Sequence, residues 1–171
     1  LNEHVFHILG CGAIGSSAST QLCRMGADNF VLYDMDKVET PNIGVSQYGH
    51  SHVGKYKTEA LNMLLKDINP GCEVLEMNEM FNTFMYSNPN DIIILGFDSM
   101  SSRLEAIETC LSYKGFNPKL LIDGRMGAEH YQQYTFIKPN IKDYKKTWYS
   151  DEDGSSFNFP TTQIEKNTLY K

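Results

Sequence analysis

Gly10, Gly12 and Gly15 stand at the spacing Gly-x-Gly-x-x-Gly, with an apolar run before them and helical spacing after. A turn of this kind offers a phosphate group backbone N–H donors and the positive end of a helix dipole. Gly10 serves the tight turn and Gly12 the close approach of backbone to phosphate, with Ala13 beside it at the helix start. Gly15 lets the helix pack close to the sheet. Asp34 lies nineteen residues after Gly15, at the end of the next apolar run. A carboxylate there can accept hydrogen bonds from a ribose hydroxyl. The glycines and Asp34 predict a nucleotide site but do not choose between NAD and ATP, because both present ribose and phosphate.

The residues that discriminate come later. Asp34-Met35-Asp36 leads to Asn42, then to Val53-Gly54-x-x-Lys57 at the start of a helical pattern. Further on, "DIIILGFDSMSSR" ends a strand pattern at Asp98 and carries Arg103 on the following helix. Hydride transfer needs none of these. An ATP-cleaving site needs a Lys to offset phosphate charge, a strand-end carboxylate for Mg2+, and a polar side chain near the phosphates.

Taken together, these motifs resemble the ThiF/MoeB/ubiquitin-activating (E1-like) adenylating family. The matching pieces are the glycine loop, "DMDKVETPN", "GKYK", "INP" at 68–70 and "DSMSSR", spread over about residues 4–139. The resemblance implies that Gly10, Gly12, Ala13, Gly15, Asp34 and Asp36 bind the nucleotide, with Asp34 on the ATP ribose. It implies that Asn42 and Lys57 contact the phosphates and that Asp98 coordinates Mg2+ beside the α-phosphate. The activity implied is attack on ATP by the C-terminal carboxylate of a small ubiquitin-like protein or peptide, giving an acyl-adenylate and pyrophosphate. A homodimer is implied as well.

The sequence departs from the family pattern in four places. An Arg is expected shortly after Asn42, but "NIGVSQ" has Val45 and Ser46 there, and no Arg occurs between Arg24 and Arg103. Arg125, read as directly following the strand that ends at Asp123, is the candidate replacement; the alternative is a pair with Asp123 or Glu129. No Cys follows Cys110, and Pro160-Thr161-Thr162 stands where a catalytic Cys would be sought, so no stable thioester is expected. The CxxC pairs that hold zinc in many relatives are absent, so no structural zinc is expected. The resemblance also implies an Arg contributed across family dimers from an N-terminal helix, and none is expected in this sequence, which opens on a strand pattern. Two competing readings stay open: a reduced pseudo-enzyme that keeps the fold as a binding module, and an NAD-dependent oxidoreductase.

To position these residues the chain needs strands that end where the chemistry begins. Apolar runs at 4–10, 29–34, 72–78, 91–97 and 119–123 alternate with helical patterns at 13–25, 53–69 and 101–114. The first helix turns Ile14, Ala18, Leu22 and Met25 inward, and the second Ala60, Leu61, Leu64 and Leu65. This order predicts an α/β, Rossmann-like, mostly parallel sheet with helices on both faces. Residues 131–139 alternate like a half-buried, antiparallel last strand. Residues 1–139 are read as the nucleotide-binding domain and 140–171 as its flexible, crossover-like C-terminal segment.

The 171 residues carry a formal charge of −6 with scattered Lys and Arg, so no nucleic-acid surface is expected. No run is long and apolar enough for a membrane, and a cytoplasmic protein is expected. Cys11, Cys23, Cys72 and Cys110 read as free thiols in the core. His4 and His7 read as structural, and His50 and His52 as loop residues near Lys57.

Overall fold

The computed structural model describes residues 1–79, 81, 90–112, 118–126 and 131–151. His130, Glu129 and the Pro160-Thr161-Thr162 stretch lie outside the described residues. Among the described residues, three β/α units and one further parallel strand lead into an antiparallel hairpin. The elements are β1 (Phe6–Leu9), α1 (Ala13–Arg24), β2 (Asn29–Tyr33), α2 (Lys57–Ile68), β3 (Glu73–Met77), β4 (Ile92–Leu95), α3 (Met100–Ser112), β5 (Leu120–Met126), β6 (Tyr131–Ile137) and α4 (Ile141–Lys145). The sheet order is β3-β2-β1-β4-β5-β6. Every described pairing is parallel except β5 with β6. This is the mostly parallel, Rossmann-like sheet that the alternation predicts.

Side-chain alternation along the strands supplies both faces. Phe6, Ile8, Phe30, Leu32, Ile92 and Ile94 share one cluster with Leu61 and Leu65 of α2. Leu9, Val31, Tyr33, Ile93, Leu95 and Leu121 share the other with Ile107 and Cys110 of α3 and Tyr144 of α4. Strands covered on both faces must be apolar at consecutive positions, and "IIIL" is fully buried for that reason. His7 joins the second face as a structural residue, with Nε2 3.1 Å from Asp91 and Nδ1 3.3 Å from the Tyr33 hydroxyl.

Register decides where the site forms. Leu9 pairs with Tyr33 and with Leu95, and Leu95 pairs with Asp123. Gly10, Asp34 and Gly96 therefore leave the sheet side by side. They emerge at the switch point between β1 and β4, where open α/β sheets form a crevice.

Three local expectations are corrected. Met25 does not face inward but is 70% exposed, and the buried side of α1 is Gly15, Ser16, Ser19, Thr20 and Cys23. Small residues face the sheet because Gly15 holds α1 close to it. β5 does not stop at Asp123 but runs to Met126, because Asp123–Met126 pair with Tyr131–Tyr134 of β6. Arg125 is thus a strand residue. The second helix begins at Lys57, not at 53, after short 3-10 turns at Thr40–Gly44 and His50–His52.

Beyond Pro139 the polar sequence forms α4, started by Asn140, whose side chain accepts from the Asp143 amide at 2.9 Å. Five residues are too few to display a helical period. Tyr144 is nevertheless fully buried, and the Trp148 indole donates to the Met100 carbonyl at 2.8 Å.

Candidate functional site

The glycine turn is dictated by contact as much as by conformation. Gly10 has φ +92°, and a Cβ there would stand 2.9 Å from the backbone of Gly96 and Phe97. A Cβ on Gly15 would overlap the Gly10 carbonyl. Gly12, in contrast, has open space where a side chain would be. No side chain caps α1, so its first amides and dipole are presented bare to that space.

Asp34 holds the turn in place. Its Oδ2 accepts from the Cys11 amide at 2.8 Å and its Oδ1 from the Asp36 amide at 2.9 Å. Burial raises its pKa above the ordinary carboxylate value, although Lys57 and these amides oppose the shift. Lys57 arrives from twenty-one residues downstream of Asp36 by a short antiparallel crossing, in which Lys37 bridges Tyr56 and the Lys57 amide donates to Asp36 O at 2.9 Å. Its Nζ lies 2.8 Å from Asp36 Oδ2 and 4.0 Å from Asp34 Oδ2. Burial disfavours the ammonium, but Asp34, Asp36 and Asp98 outweigh that and raise its pKa, so it stays charged.

A single cavity of about 780 Å³ opens over these groups. Gly10, Gly12, Ala13, Asp34, Asp36, Asn42, Lys57, Asp98 and Arg125 all line it, and Gly15 lies behind the turn. His50 and His52 are not among its lining residues. Val45 is, at the place where the resemblance expects Arg. Asn42 Oδ1 accepts from the Glu39 amide at 2.8 Å, which orients its loop. Asp98 is exposed at the mouth, its Oδ1 taking the Ser99 amide at 2.9 Å. Cys11 is fully buried, and burial followed by the Asp34 charge pushes its thiol far above the ordinary range. It is no nucleophile.

On the other wall Asp123 lies between two arginines. Arg103 donates to its Oδ1 and, at 2.9 Å, to the Gly124 carbonyl. Arg125 donates to Oδ2 from Nε at 3.0 Å and Nη2 at 2.6 Å, and to Thr147 O at 2.7 Å. The Tyr134 and Tyr149 rings lie 4.5 and 5.2 Å from its guanidinium carbon. Arg125 therefore pairs with Asp123 and lines the cavity at once. The two guanidinium groups share one carboxylate, so Asp123 alone does not offset both of them.

Spacing alone missed Asp123 as the hub of this wall, and it missed Asp151. The Asp151 carboxylate accepts from the Met100 amide and, at 3.1 Å, from the Ser101 amide, capping α3 from fifty residues away. The Asp123–Arg125 pair is one of the alternatives that spacing offers, but no local pattern signals Arg103 as its third member or Asp151 as a cap. Among the described residues no three His, Cys, Asp or Glu side chains come together as a metal cage. A lone exposed carboxylate such as Asp98 still suits Mg2+, which takes one or two carboxylates and completes its shell with water and phosphate.

The ThiF family model matches residues 1–165. The chain belongs to the ThiF family. Within it, the chain is 28% identical over 148 residues to ubiquitin-like modifier-activating enzyme 5 of Arabidopsis thaliana, covering 86% of this chain and 32% of that protein. It is 28% identical over 116 residues to tRNA threonylcarbamoyladenosine dehydratase of Bacillus subtilis, covering 65% of this chain and 46% of that one. The chain thus spans under half the length of these relatives.

Among solved structures, the Escherichia coli tRNA threonylcarbamoyladenosine dehydratase in complex with ATP superposes with a TM-score of 0.54 at 27% identity, covering 63% of this chain and 46% of that one. E. coli MccB superposes with a TM-score of 0.67 over 94% of this chain and 52% of its own, at 20% identity, and attests the ThiF-family fold alone.

Proposed function

We propose that this ThiF-family chain is an ATP-dependent adenylating enzyme that activates the C-terminal carboxylate of a small ubiquitin-like protein or peptide. The observation that supports it best is the convergence on one cavity of the bare α1 terminus, Asp34, Lys57 and Asp98. In this reading Asp34 accepts from the ribose, and Gly12 with Ala13 and the first turn of α1 cradles phosphate. Asp36 holds Lys57 until ATP arrives, and Lys57 and Asn42 then engage the phosphates. Asp98 would hold Mg2+, whose charge offsets that of the triphosphate.

An oxygen of the substrate carboxylate attacks the α-phosphorus, and the bond from that phosphorus to the β-phosphate bridging oxygen breaks. The products are an acyl-adenylate and pyrophosphate. Two anions must meet in this step, so cationic surroundings are its main requirement. Lys57 and the Arg103–Asp123–Arg125 wall provide them from opposite sides. The relatives support the same reading, one being a ubiquitin-like modifier-activating enzyme and one having been solved with ATP.

The test is isotope exchange between ATP and pyrophosphate, stimulated by small proteins ending in Gly-Gly. Exchange is expected, and Lys57→Ala should lower it by about 10²-fold. ATP binding with no exchange for any acyl partner would leave a nucleotide-binding module instead. NADH binding without ATP binding would replace the proposal with a dehydrogenase.

A further inference from the structure

We infer that Tyr48 is a positioning residue for the triphosphate end of the nucleotide site, an inference that rests on the ATP reading above. Tyr48 is 3% exposed, and its side chain belongs to the core cluster beneath α1 and α2. Its hydroxyl donates to the Cys11 carbonyl at 2.5 Å and lies within donating distance of the Lys57 carbonyl at 3.1 Å. One O–H is thus shared between the middle of the glycine turn and the first residue of α2.

The consequence follows from what stands on the other side of each partner. The Cys11 amide donates to Asp34, so the Cys11 residue is held at its N–H by a carboxylate and at its C=O by Tyr48. Its amide and carbonyl bracket the backbone that leads from Gly10 into Gly12. Lys57 is held likewise, with its amide on Asp36 O, its carbonyl on Tyr48 and its Nζ on Asp36. The hydroxyl therefore sets the distance between the two elements that must close on one triphosphate.

The same residue anchors the Asn42 loop. Ser46 Oγ donates to Asn42 O at 2.6 Å, the Gln47 amide donates to Ser16 Oγ at 3.2 Å, and the Tyr48 ring closes this run into the core. The loop that lacks the expected Arg is thereby tied to α1 and to the cluster beneath it.

The experiment compares Tyr48→Phe with wild type by calorimetric titration of ATP and of adenosine, which shares base and ribose but lacks phosphate. ATP affinity should fall about tenfold, the scale of one lost buried hydrogen bond, with adenosine affinity unchanged. In a Lys57→Ala background the same substitution should cost ATP affinity markedly less, since the backbone that Tyr48 holds at position 57 then carries no ammonium to the phosphates. Equal losses for ATP and adenosine, no loss for ATP, or a Tyr48→Phe protein that fails to fold would each overturn the positioning role. A wild-type protein that binds neither ligand would overturn the nucleotide reading itself.

Discussion

A Cβ built on Gly12 meets no heavy atom within 4 Å, whereas one built on Gly15 runs into the Gly10 carbonyl. The two glycines answer to different demands, one made by the fold and one by the ligand. Gly15→Ala should destabilise the protein by about 3 kcal/mol in denaturant titration, because backbone must move to admit the methyl. Gly12→Ala should leave stability within about 0.5 kcal/mol of wild type and still weaken ATP binding, since the methyl occupies the space left for phosphate.

Asp34 carries a pH signature of the same kind. Its pKa is raised by burial, so the folded state takes up a proton more readily than the unfolded chain. Ionised Asp34 therefore costs stability above the ordinary carboxylate range, and that cost is relieved on acidification. Nucleotide affinity should move the other way, falling as pH drops through the raised pKa. ATP titrations across pH should show this fall, and Asp34→Asn should flatten it.

At the scale of elements, the start of α3 depends on a residue beyond β6 and α4. Asp151 caps Met100 and Ser101, and the Ser101 hydroxyl adds a bond at 2.8 Å. Burial raises the Asp151 pKa, but bonds from Ser101, Met100 and Ser99 outweigh it and leave the carboxylate below its ordinary value. The stability this confers is present above the unfolded pKa and is lost as pH falls through the lowered folded one. Asp151→Ala should cost about 1 kcal/mol in thermal or chemical unfolding at neutral pH, with a smaller difference in acid.

Much of this level was legible beforehand. Strand runs, helix spacing and the antiparallel last strand appear in the pattern because each periodicity is local. α4 was not legible, being too short to show a period. The true extent of β5 was not legible either, since its last residues are strand only because β6 pairs with them.

For the molecule as a whole, the arginine pair around Asp123 joins α3, β5 and the segment after α4. Its members are buried, so removing the shared anion leaves two uncompensated cations inside the protein. Asp123→Ala should cost about 3–5 kcal/mol in denaturant unfolding. The exposed Lys145–Glu108 pair is the contrast, and Lys145→Ala should cost under about 1 kcal/mol.

The sequence by itself determined the glycine turn, the acids at the strand ends and the order of strands and helices, because each is written in neighbouring residues or a short period. From that order the crevice above β1 and β4 follows. Only the tertiary structure decided that Arg125 faces Asp123 and the cavity together, that Tyr48 spans Cys11 and Lys57, and that Asp151 caps α3. The Tyr48 and Asp151 contacts join residues that chain spacing does not relate, and Arg125 shares a face with Asp123 because pairing with β6 keeps β5 extended past Asp123.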